Sequence, residues 1–325
     1  MSRVGRIERH PPRAVILSSV GVIVALWSLN FIAAKIGLRN LSALTMASFR
    51  VVLAGLIMVP LYLACRRFQA FAPAPGRRVV RFTYRDIWTF TYLGFFGVAI
   101  NQVCFTAGLR YTSVGHSAII VAMGPIFVLL LSGAIGLERL TVQKIIGMGI
   151  AFAGVLCIAT ERASGTSSSK ILGDAITLSG SLGFALYAVL AKRVAADYDT
   201  LTMNAFTHFT GMILVLPLAC FEAWRIGAAA NWSTIGWQSW AATAYMAVFG
   251  SAIAYLLYFW LLRYMLASRL SAFSYLLPVV GTILGIWLLG EKATWNQVLG
   301  GGLVLAGIYW VESGRKPEPV RTPAR

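Results

Sequence analysis

Charged residues are scarce in this chain, and acidic residues are the scarcest of them. Only 12% of the 325 residues are charged, with 11 Asp and Glu against 28 Lys and Arg, while 58% are hydrophobic. Soluble domains carry about a quarter charged residues, which keep their surfaces wet. The composition therefore excludes a soluble globular protein and indicates a protein that lies within a membrane.

The sequence also lacks the short motifs of enzymes and of nucleotide-driven pumps. It contains no HExxH, no GxSxG and no P-loop, and its four cysteines show no CxxC spacing. These motifs position metal ions, nucleophiles and phosphates, so we expect no enzyme activity, no cofactor and no bound metal. Any transport would be driven by the gradient of the solute or of a coupled ion.

Long apolar runs fill most of the chain. Ten of them approach the roughly 20 residues that a helix needs to cross a bilayer. They are continuous instead of alternating, which predicts helices and argues against the strands of a barrel. The predicted fold class is an all-α polytopic membrane protein with ten transmembrane helices. We place them near 14–36, 43–64, 86–109, 113–137, 141–160, 171–193, 200–221, 236–262, 267–289 and 294–311.

The second half of the chain repeats the first. From Gly97 onward, residues recur about 153 positions later, and nearer the start of each copy about 157 positions later. Each copy holds five helices, an odd number, so the second copy would lie upside down relative to the first. The expected organisation is a tail at 1–13, a first repeat at 14–160, a linker at 161–170, a second repeat at 171–311 and a tail at 312–325.

Small residues recur four positions apart in the fifth and tenth predicted helices. Gly149 and Ala153 in the first copy correspond to Gly302 and Ala306 in the second. Such pairs let helix backbones approach closely in lipid. We therefore expect these positions to pack the helices and to make no contact with a solute.

Basic residues are distributed unevenly between the two sides of the predicted bundle. Most of the 28 Lys and Arg fall in the tails and loops on the side of the N-terminus. The positive-inside rule then places both termini in the cytoplasm of a protein of the cell membrane, in a bacterium the inner membrane. The charge is spread over loops and forms no single basic face, which argues against a nucleic-acid partner. The expected partners are the lipid bilayer and a small-molecule solute, and nothing indicates an oligomeric state.

Three stretches of the first copy, with their counterparts in the second, carry a family pattern. With them the chain resembles the EamA-like branch of the drug/metabolite transporter superfamily over nearly its whole length. The resemblance implies a ten-helix bundle of two inverted repeats that carries small organic solutes by alternating access. It also implies a central cavity among helices 1, 3, 4, 6, 8 and 9, and many relatives export amino acids or other metabolites. The stretches are Ala107-Gly-Leu-Arg-Tyr-Thr-Ser-Val-Gly-His-Ser-Ala118, Met123-Gly-Pro-Ile-Phe127, Leu137-Glu-Arg-Leu-Thr-Val-Gln-Lys-Ile-Ile-Gly147, Leu261-Leu-Arg-Tyr264, Leu277-Pro-Val279 and Gly290-Glu-Lys-Ala-Thr-Trp-Asn-Gln-Val-Leu-Gly300.

Polar side chains inside a membrane are costly, which makes each of them a candidate for solute binding. The candidates are aromatic or hydrogen-bonding and uncharged, so they would line a cavity suited to polar organic solutes. The same side chains could instead join helices by hydrogen bonds. The predicted substrate-binding residues are Trp27, Asn30, Asn101, Tyr187, Tyr255, Ser274 and Tyr275.

Arg50 is the one strong base well inside a predicted helix. An unpaired charge there costs at least about 2.5 kcal/mol, so Arg50 must be paired or face water. The family resemblance implies a structural or gate role for Arg50 before a role in solute binding, since relatives often carry an arginine at this point of the second helix. For a carboxylate solute, Arg50 is the best internal cation. Pro125 and Pro278 occupy equivalent positions within predicted helices, where each removes a backbone donor. They are either gating points or static kinks.

Two acidic residues and two histidines complete the candidates for gating or coupling. Glu138 and Glu291 follow apolar runs at opposite membrane faces, where helix capping or a gate ion pair is expected. His116 is the candidate for coupling to a proton, because histidine titrates in the physiological range, and His208 is a weaker one.

The predicted function is a secondary transporter of small organic metabolites, amino-acid-like or other polar solutes, working by alternating access as an exporter. An uptake carrier of the same fold is the alternative, since the residues do not encode direction. A non-transporting membrane scaffold or sensor is a third class, which the short tails disfavour.

Overall fold

The computed structural model describes residues 11–66, 83–111, 120–162, 171–228, 235–289 and 295–313, and these form helices and turns without a strand. In the first half, helices α1 to α5 are Arg13–Gly37, Ala43–Arg66, Tyr84–Tyr111, Gly124–Ala134 and Val142–Arg162. In the second half, helices α6, α7, α8 and α10 are Ile171–Val194, Thr200–Ala228, Trp237–Tyr264 and Trp295–Ser313. Helix α9 comprises Ala267–Ala272, a 3-10 turn at Phe273–Tyr275, and Leu276–Leu289.

Six of these helices, α1, α2, α3, α6, α7 and α8, are long and apolar enough to cross a membrane. The segments Ile120–Ala134, Val142–Cys157 and Val298–Val311 are apolar but shorter. Large apolar side chains such as Leu63 and Trp224 are exposed on the outside of the bundle, as expected where lipid is the solvent. The chain is therefore a multi-pass membrane protein, and the number of ten crossings stays a prediction.

The helices α5 and α10, which occupy equivalent places in the two halves, cross through glycines. Gly147 lies against Gly307, and Gly154 lies against Gly300. Moving forward along α5 therefore means moving backward along α10, so the two helices are antiparallel. Gly147 corresponds to Gly300 and Gly154 to Gly307, so exchanging the two helices reproduces the same contacts. The crossing has the symmetry of a two-fold axis.

The expected packing role of Gly149 and Gly302 is wrong. A Cβ atom added at either position would meet nothing within 4 Å. Each glycine lies two residues along the helix from a glycine that does form the crossing, and two residues turn a helix by about 200°. Small residues do form the crossing of α5 and α10, but they are Gly147, Gly154, Gly300 and Gly307, on the other face of each helix.

Helices α3 and α8 are locally widened at equivalent positions. In α3, Phe95–Ile100 is π-helical, and in α8 the π-helical stretch is Met246–Ile253. Each stretch contains one of the equivalent glycines, Gly97 or Gly250. Short π-helical stretches inside α-helices are frequent at functional sites. Both stretches lie beside the cavity described below.

Candidate functional site

A cavity lies among the helices of both halves, with a volume of about 110 Å³. Pockets for small molecules are concave, mostly apolar and carry a few convergent polar groups, and this cavity has such a lining. Its lining comes from α1, α2, α3, α6, α8, α9 and the segment that begins α4. The resemblance implied all of these except α2, which contributes Arg50.

Aromatic side chains form much of the cavity wall. Trp27 meets Phe184 edge to face with ring centroids 6.0 Å apart, and Phe31 meets Phe105 at 5.4 Å. Tyr255 also packs edge to face on Trp27, with centroids 6.0 Å apart. This geometry is favoured because the positive edge of one ring faces the negative surface of the other. The wall therefore offers large, fixed apolar surfaces to a solute.

Carbonyl groups of the two π-helical stretches hold two of the lining side chains. The Tyr255 hydroxyl donates to the Gly97 carbonyl at 3.1 Å, and the Trp27 indole N–H donates to the Gly250 carbonyl at 3.1 Å. The Tyr255 hydroxyl also lies 3.2 Å from Asn101 Oδ1, and Asn101 Nδ2 donates to the Gly180 carbonyl at 3.1 Å. These bonds fix Trp27, Tyr255 and Asn101 in place before a solute arrives.

Arg50 enters the cavity from α2 and is only 4% exposed. Its Nε–H donates to Ser251 Oγ at 3.0 Å, and Ser251 donates to Gln102 Oε1 at 3.1 Å. Within the part of the chain that the structure describes, no carboxylate lies within ion-pair distance of Arg50. The equivalent residue of the second copy is Thr207, which is fully buried, so the charge occurs once.

Asn30 and Ser274 also line the cavity, and neither makes a hydrogen bond to another described residue. Asn30 is 8% exposed and lies against Gly250. Buried polar groups normally find partners, because an unmatched one costs about 1–3 kcal/mol. Groups that lack one beside a cavity are available to water or to a solute.

Tyr187 and Tyr275 do not line the cavity, contrary to the expectation from the sequence. Both are fully buried, and neither hydroxyl has a partner among the described residues. Tyr187 packs behind the wall, with its ring centroid 5.6 Å from that of Tyr255 and 6.0 Å from that of Tyr258. Tyr187 supports the wall, and Tyr275 sits one residue beyond Ser274, on a face turned away.

The two prolines each follow an irregular turn and do not interrupt a regular helix. Pro125 occupies the first turn of α4, directly after a break at Met123, and it lines the cavity. Pro278 is the third residue after the 3-10 turn of α9. The expectation that Pro125 lies in the middle of a helix is therefore wrong. In the first turn of a helix a backbone N–H has no intrahelical partner, so a proline there costs no hydrogen bond. Four residues before each proline, Val121 and Ser274 occupy equivalent positions, and both face the cavity.

Glu138 joins the end of α4 to the start of α9. Its carboxylate accepts hydrogen bonds from the Ser268 backbone N–H at 3.1 Å and from the Ser268 hydroxyl. Lys144 Nζ lies 3.1 Å from the same carboxylate, and both charged side chains are almost fully buried. A carboxylate is stabilised at a helix N-terminus by the free N–H groups and the helix dipole. Glu138 therefore fastens α9, which lines the cavity, to α4.

Lys192 makes the complementary contact at the adjoining end of α8. Its Nζ donates to the carbonyls of Leu262 at 2.5 Å and Met265 at 2.7 Å. Cations are favoured at helix C-termini, where carbonyls lack intrahelical partners. The loop between α8 and α9 is thus held by a cation on one side and a carboxylate on the other.

His116 and Glu291 lie outside the described residues. His208 is fully buried in α7, and its Nδ1 lies 3.0 Å from the Asn204 carbonyl. Its ring packs edge to face on Tyr255 at 5.2 Å. His208 therefore stands behind the cavity wall and is not part of the lining.

Several lining residues were missed by the prediction from sequence. Phe31 follows Trp27 by four residues, and Phe105 follows Asn101 by four, so both share a helix face with a predicted residue. Phe184 is the repeat equivalent of Trp27. Extending each predicted residue by one helical turn and by the repeat would have found all three.

Helices that bury a polar and aromatic chamber between two related halves define a class of membrane protein that handles small solutes. Comparison with known proteins agrees, since the EamA-like transporter family matches residues 15–160 and again 171–313. An uncharacterized transporter of Archaeoglobus fulgidus is 30% identical over 90% of this chain and 96% of its own length. A protein of Escherichia coli, described as the uncharacterized inner membrane transporter YedA, is 23% identical over 94% of both chains. The chain belongs to the EamA-like transporter family and is a membrane transporter.

Two further similarities are to a solved structure and to a relative with a printed description. A solved crystal structure shares the fold at a TM-score of 0.70 with 17% identity, covering 91% of this chain and 96% of the other. A protein of Streptantibioticus cattleyicolor, described as a probable terminal-alkyne amino-acid exporter, is 25% identical over 93% of this chain and 95% of its own.

Proposed function

We propose that the chain is a secondary transporter that exports small organic metabolites, amino-acid-like or other polar solutes, through the central cavity. The observation that carries the proposal is an aromatic and polar cavity with a lining drawn from both repeats. A site shared by two related halves is the arrangement used by carriers that alternate between two open states.

The membrane arrangement that fits this function has ten crossings, with the two repeats inverted and both termini in the cytoplasm of a bacterial inner membrane. The antiparallel crossing of α5 and α10 supports the inversion, because equivalent helices of inverted repeats must run in opposite directions. The distribution of Lys and Arg supports the orientation.

Alternating access requires that one end of the cavity be closed while the other is open. The lining residues of α1 and α3 lie in the C-terminal halves of those helices, and Arg50 lies in the N-terminal half of α2. The opposite half of the bundle is mostly filled by buried residues such as Tyr258, Phe259 and Leu262, and it holds a small pocket beside Tyr258. The contacts of Glu138 and Lys192 lie at that filled end, so in the proposed orientation they form the cytoplasmic closure of an outward-open state.

The second state follows from the repeat. Glu291 is the equivalent of Glu138, and in the inward-open state it would close the outer face by the same kind of contact. Pro125 and Pro278, each just beyond an irregular turn, are the points at which α4 and α9 would bend. Export of an amino-acid-like solute is further supported by the printed description of the S. cattleyicolor relative.

Metabolite profiling of medium and cytosol tests this function. Cells that express the wild type are compared with cells without the protein and with an Asn101→Ala variant at equal membrane abundance. Asn296→Ala, at an exposed position of α10, is the matched control. A compound that accumulates outside only with the wild type and the control supports export, and depletion from the medium indicates uptake. No difference from cells without the protein would contradict transport.

A further inference from the structure

We propose that Arg50 binds the carboxylate of the transported solute, and that the substrate class is small monocarboxylates with an aromatic or apolar body. This proposal rests on the proposed function and narrows its substrate class. It names the carboxylate as the group that the cavity recognises, and it does not require the solute to carry an α-ammonium group.

The charge of the cavity comes from one residue. Among the described residues that line it, Arg50 is the only charged one, and none is acidic. The buried carboxylates in the described part of the chain are bonded elsewhere. Glu138 contacts Lys144 and Ser268, and Glu222 contacts Arg225. The chamber therefore presents a positive charge that no described residue neutralises.

The orientation of Arg50 leaves its outer nitrogens available. The Nε–H is occupied by Ser251, which is itself anchored on Gln102, and the two terminal nitrogens make no hydrogen bond to a described residue. A guanidinium held at Nε presents a planar pair of donors, which matches the two oxygens of a carboxylate. The Ser251 and Gln102 contacts thus position Arg50 for a two-pronged bond.

Charge balance favours a monoanion over other solutes. An unpaired charge inside a membrane-spanning bundle is costly, and one carboxylate cancels it. A cationic solute would be repelled, and a neutral one would leave Arg50 unmatched. A zwitterion could use Arg50 as well, but its ammonium would find amide and carbonyl oxygens and no acidic partner.

The rest of the lining accounts for the body of the solute. Trp27, Phe31, Phe105 and Phe184 provide ring faces and edges around the space that Arg50 reaches. Such walls bury apolar and aromatic groups and exclude water, which strengthens the charged contact. Asn30 and Ser274 remain to bond a single amide or hydroxyl group.

Phenylalanine and three of its derivatives test the proposal, because they differ in charge while their side chain stays the same. They are N-acetylphenylalanine, a monoanion; phenylalanine, a zwitterion; N-acetylphenylalaninamide, which is neutral; and phenylalaninamide, a cation. Binding is measured by titration calorimetry on the full-length protein in nanodiscs, and transport by uptake into proteoliposomes. We expect N-acetylphenylalanine to bind at least about tenfold more tightly than its neutral amide, since a hydrogen bond to a charged group has that effect. Phenylalaninamide should bind most weakly.

Variants separate solute binding from a structural role. Arg50→Gln should bring the affinity ratio of acid to amide close to one, and Arg50→Lys should restore it in part. Arg85→Gln, at an exposed cation paired with Asp197, should leave the ratio unchanged. A purely structural arginine would weaken all four compounds alike. If Arg50→Gln fails to fold, Ser251→Ala provides the second test and should lower the ratio by releasing the guanidinium.

The binding and transport measurements distinguish the carboxylate site at Arg50 from the proposed transport function. A wild type that binds the neutral amide as tightly as the acid, or that binds none of the four, overturns the carboxylate site. Saturable transport of these compounds without dependence on Arg50 also overturns it and leaves the transporter standing. Binding that depends on Arg50, without uptake above that of protein-free liposomes, supports the site and contradicts the proposed function.

Discussion

Asn30 of α1 lies directly against Gly250 of α8, where a Cβ atom would collide with the asparagine side chain. The repeat equivalents, Tyr187 of α6 and Gly97 of α3, make the same contact in the other half. Each pair joins a regular helix to a π-helical stretch that lies next to the cavity. The same backbone relationship thus places a polar side chain in the lining on one side and a buried aromatic support on the other.

Gly154→Ala should destabilise the protein. Its Cβ would lie 2.5 Å from the Gly300 carbonyl oxygen and 2.7 Å from the Val304 nitrogen, both backbone atoms that cannot turn aside. Overpacking of this kind costs about 1–3 kcal/mol. We expect a lower midpoint in thermal unfolding of the detergent-purified protein. Gly149→Ala, on an open face of the same helix, is the control and should leave stability unchanged or raise it by up to about 1 kcal/mol, because alanine favours a helix over glycine. Equal midpoints for the two variants would contradict the crossing.

Tyr255→Phe should reduce transport while the protein remains in the membrane. The Gly97 carbonyl and Asn101 Oδ1 share the single proton of the Tyr255 hydroxyl, so its removal deprives both oxygens of that donor. An unmatched buried group costs about 1–3 kcal/mol. Initial transport rates in proteoliposomes should fall by about tenfold at low solute concentration. Tyr258→Phe is the matched control, because the Tyr258 hydroxyl has no partner in the described chain. A similar loss in both variants would mean that the hydrogen bonds of Tyr255 are not what matters.

Glu138→Gln should weaken the closure at the filled end of the bundle. The neutral amide loses its ion pair with Lys144 and binds the N-terminus of α9 less well. The population should shift toward a state open at the cytoplasmic face. A cysteine introduced at Ser274 should then react faster with a membrane-impermeant thiol reagent in inside-out vesicles. Arg85→Gln in the same cysteine background is the control, and unchanged labelling by Glu138→Gln would remove Glu138 from the gate.

Pro125→Ala and Pro278→Ala should each slow transport without loss of protein from the membrane. Alanine lacks the fixed φ of proline and supplies an N–H, so the regular helix can extend back across the irregular turn and stiffen the segment. The turnover rate should decrease more than the apparent affinity for the solute, because bending and not binding is affected. Pro217→Ala, in α7 and away from the cavity lining, is the comparison. Full turnover in both Pro125→Ala and Pro278→Ala would leave these prolines as packing features.

Helix positions and the repeat could be predicted from the sequence because short stretches of it are enough to identify them. Runs of apolar residues indicate the helices, and recurring short patterns indicate the repeat. Trp27, Asn30, Asn101, Tyr255 and Ser274 were predicted, and all of them line the cavity. For Tyr275 the error arose from helix phase, because it follows Ser274 by one residue, which is about 100° around the axis and enough to turn it into the bundle. Tyr187 has the same backbone setting as Asn30, and its error arose because the two halves differ in what they pack there.

The irregular turns were beyond sequence reasoning. No local sequence pattern predicts the π-helical stretches of α3 and α8 or the 3-10 turn of α9, because these depend on contacts with other helices.

Glu222 was also missed by the prediction from sequence. It is buried and accepts hydrogen bonds from Thr45 at 2.5 Å and Arg225 at 2.7 Å, which joins α2 to α7 across the repeats. Glu222 and Thr45 are 177 residues apart in the sequence, so only the fold brings them together.

Arg50 and its repeat equivalent Thr207 break the symmetry of the bundle. If the two halves exchange conformations, the guanidinium lies at different depths in the two states, and no second cation moves to compensate. A charge that crosses the whole membrane gains or loses about 2.3 kcal/mol per 100 mV, and a fraction of the depth gives that fraction of the energy. The voltage of the cell therefore favours one state of the empty carrier over the other, and a bound carboxylate, by cancelling the charge, releases the carrier from that bias.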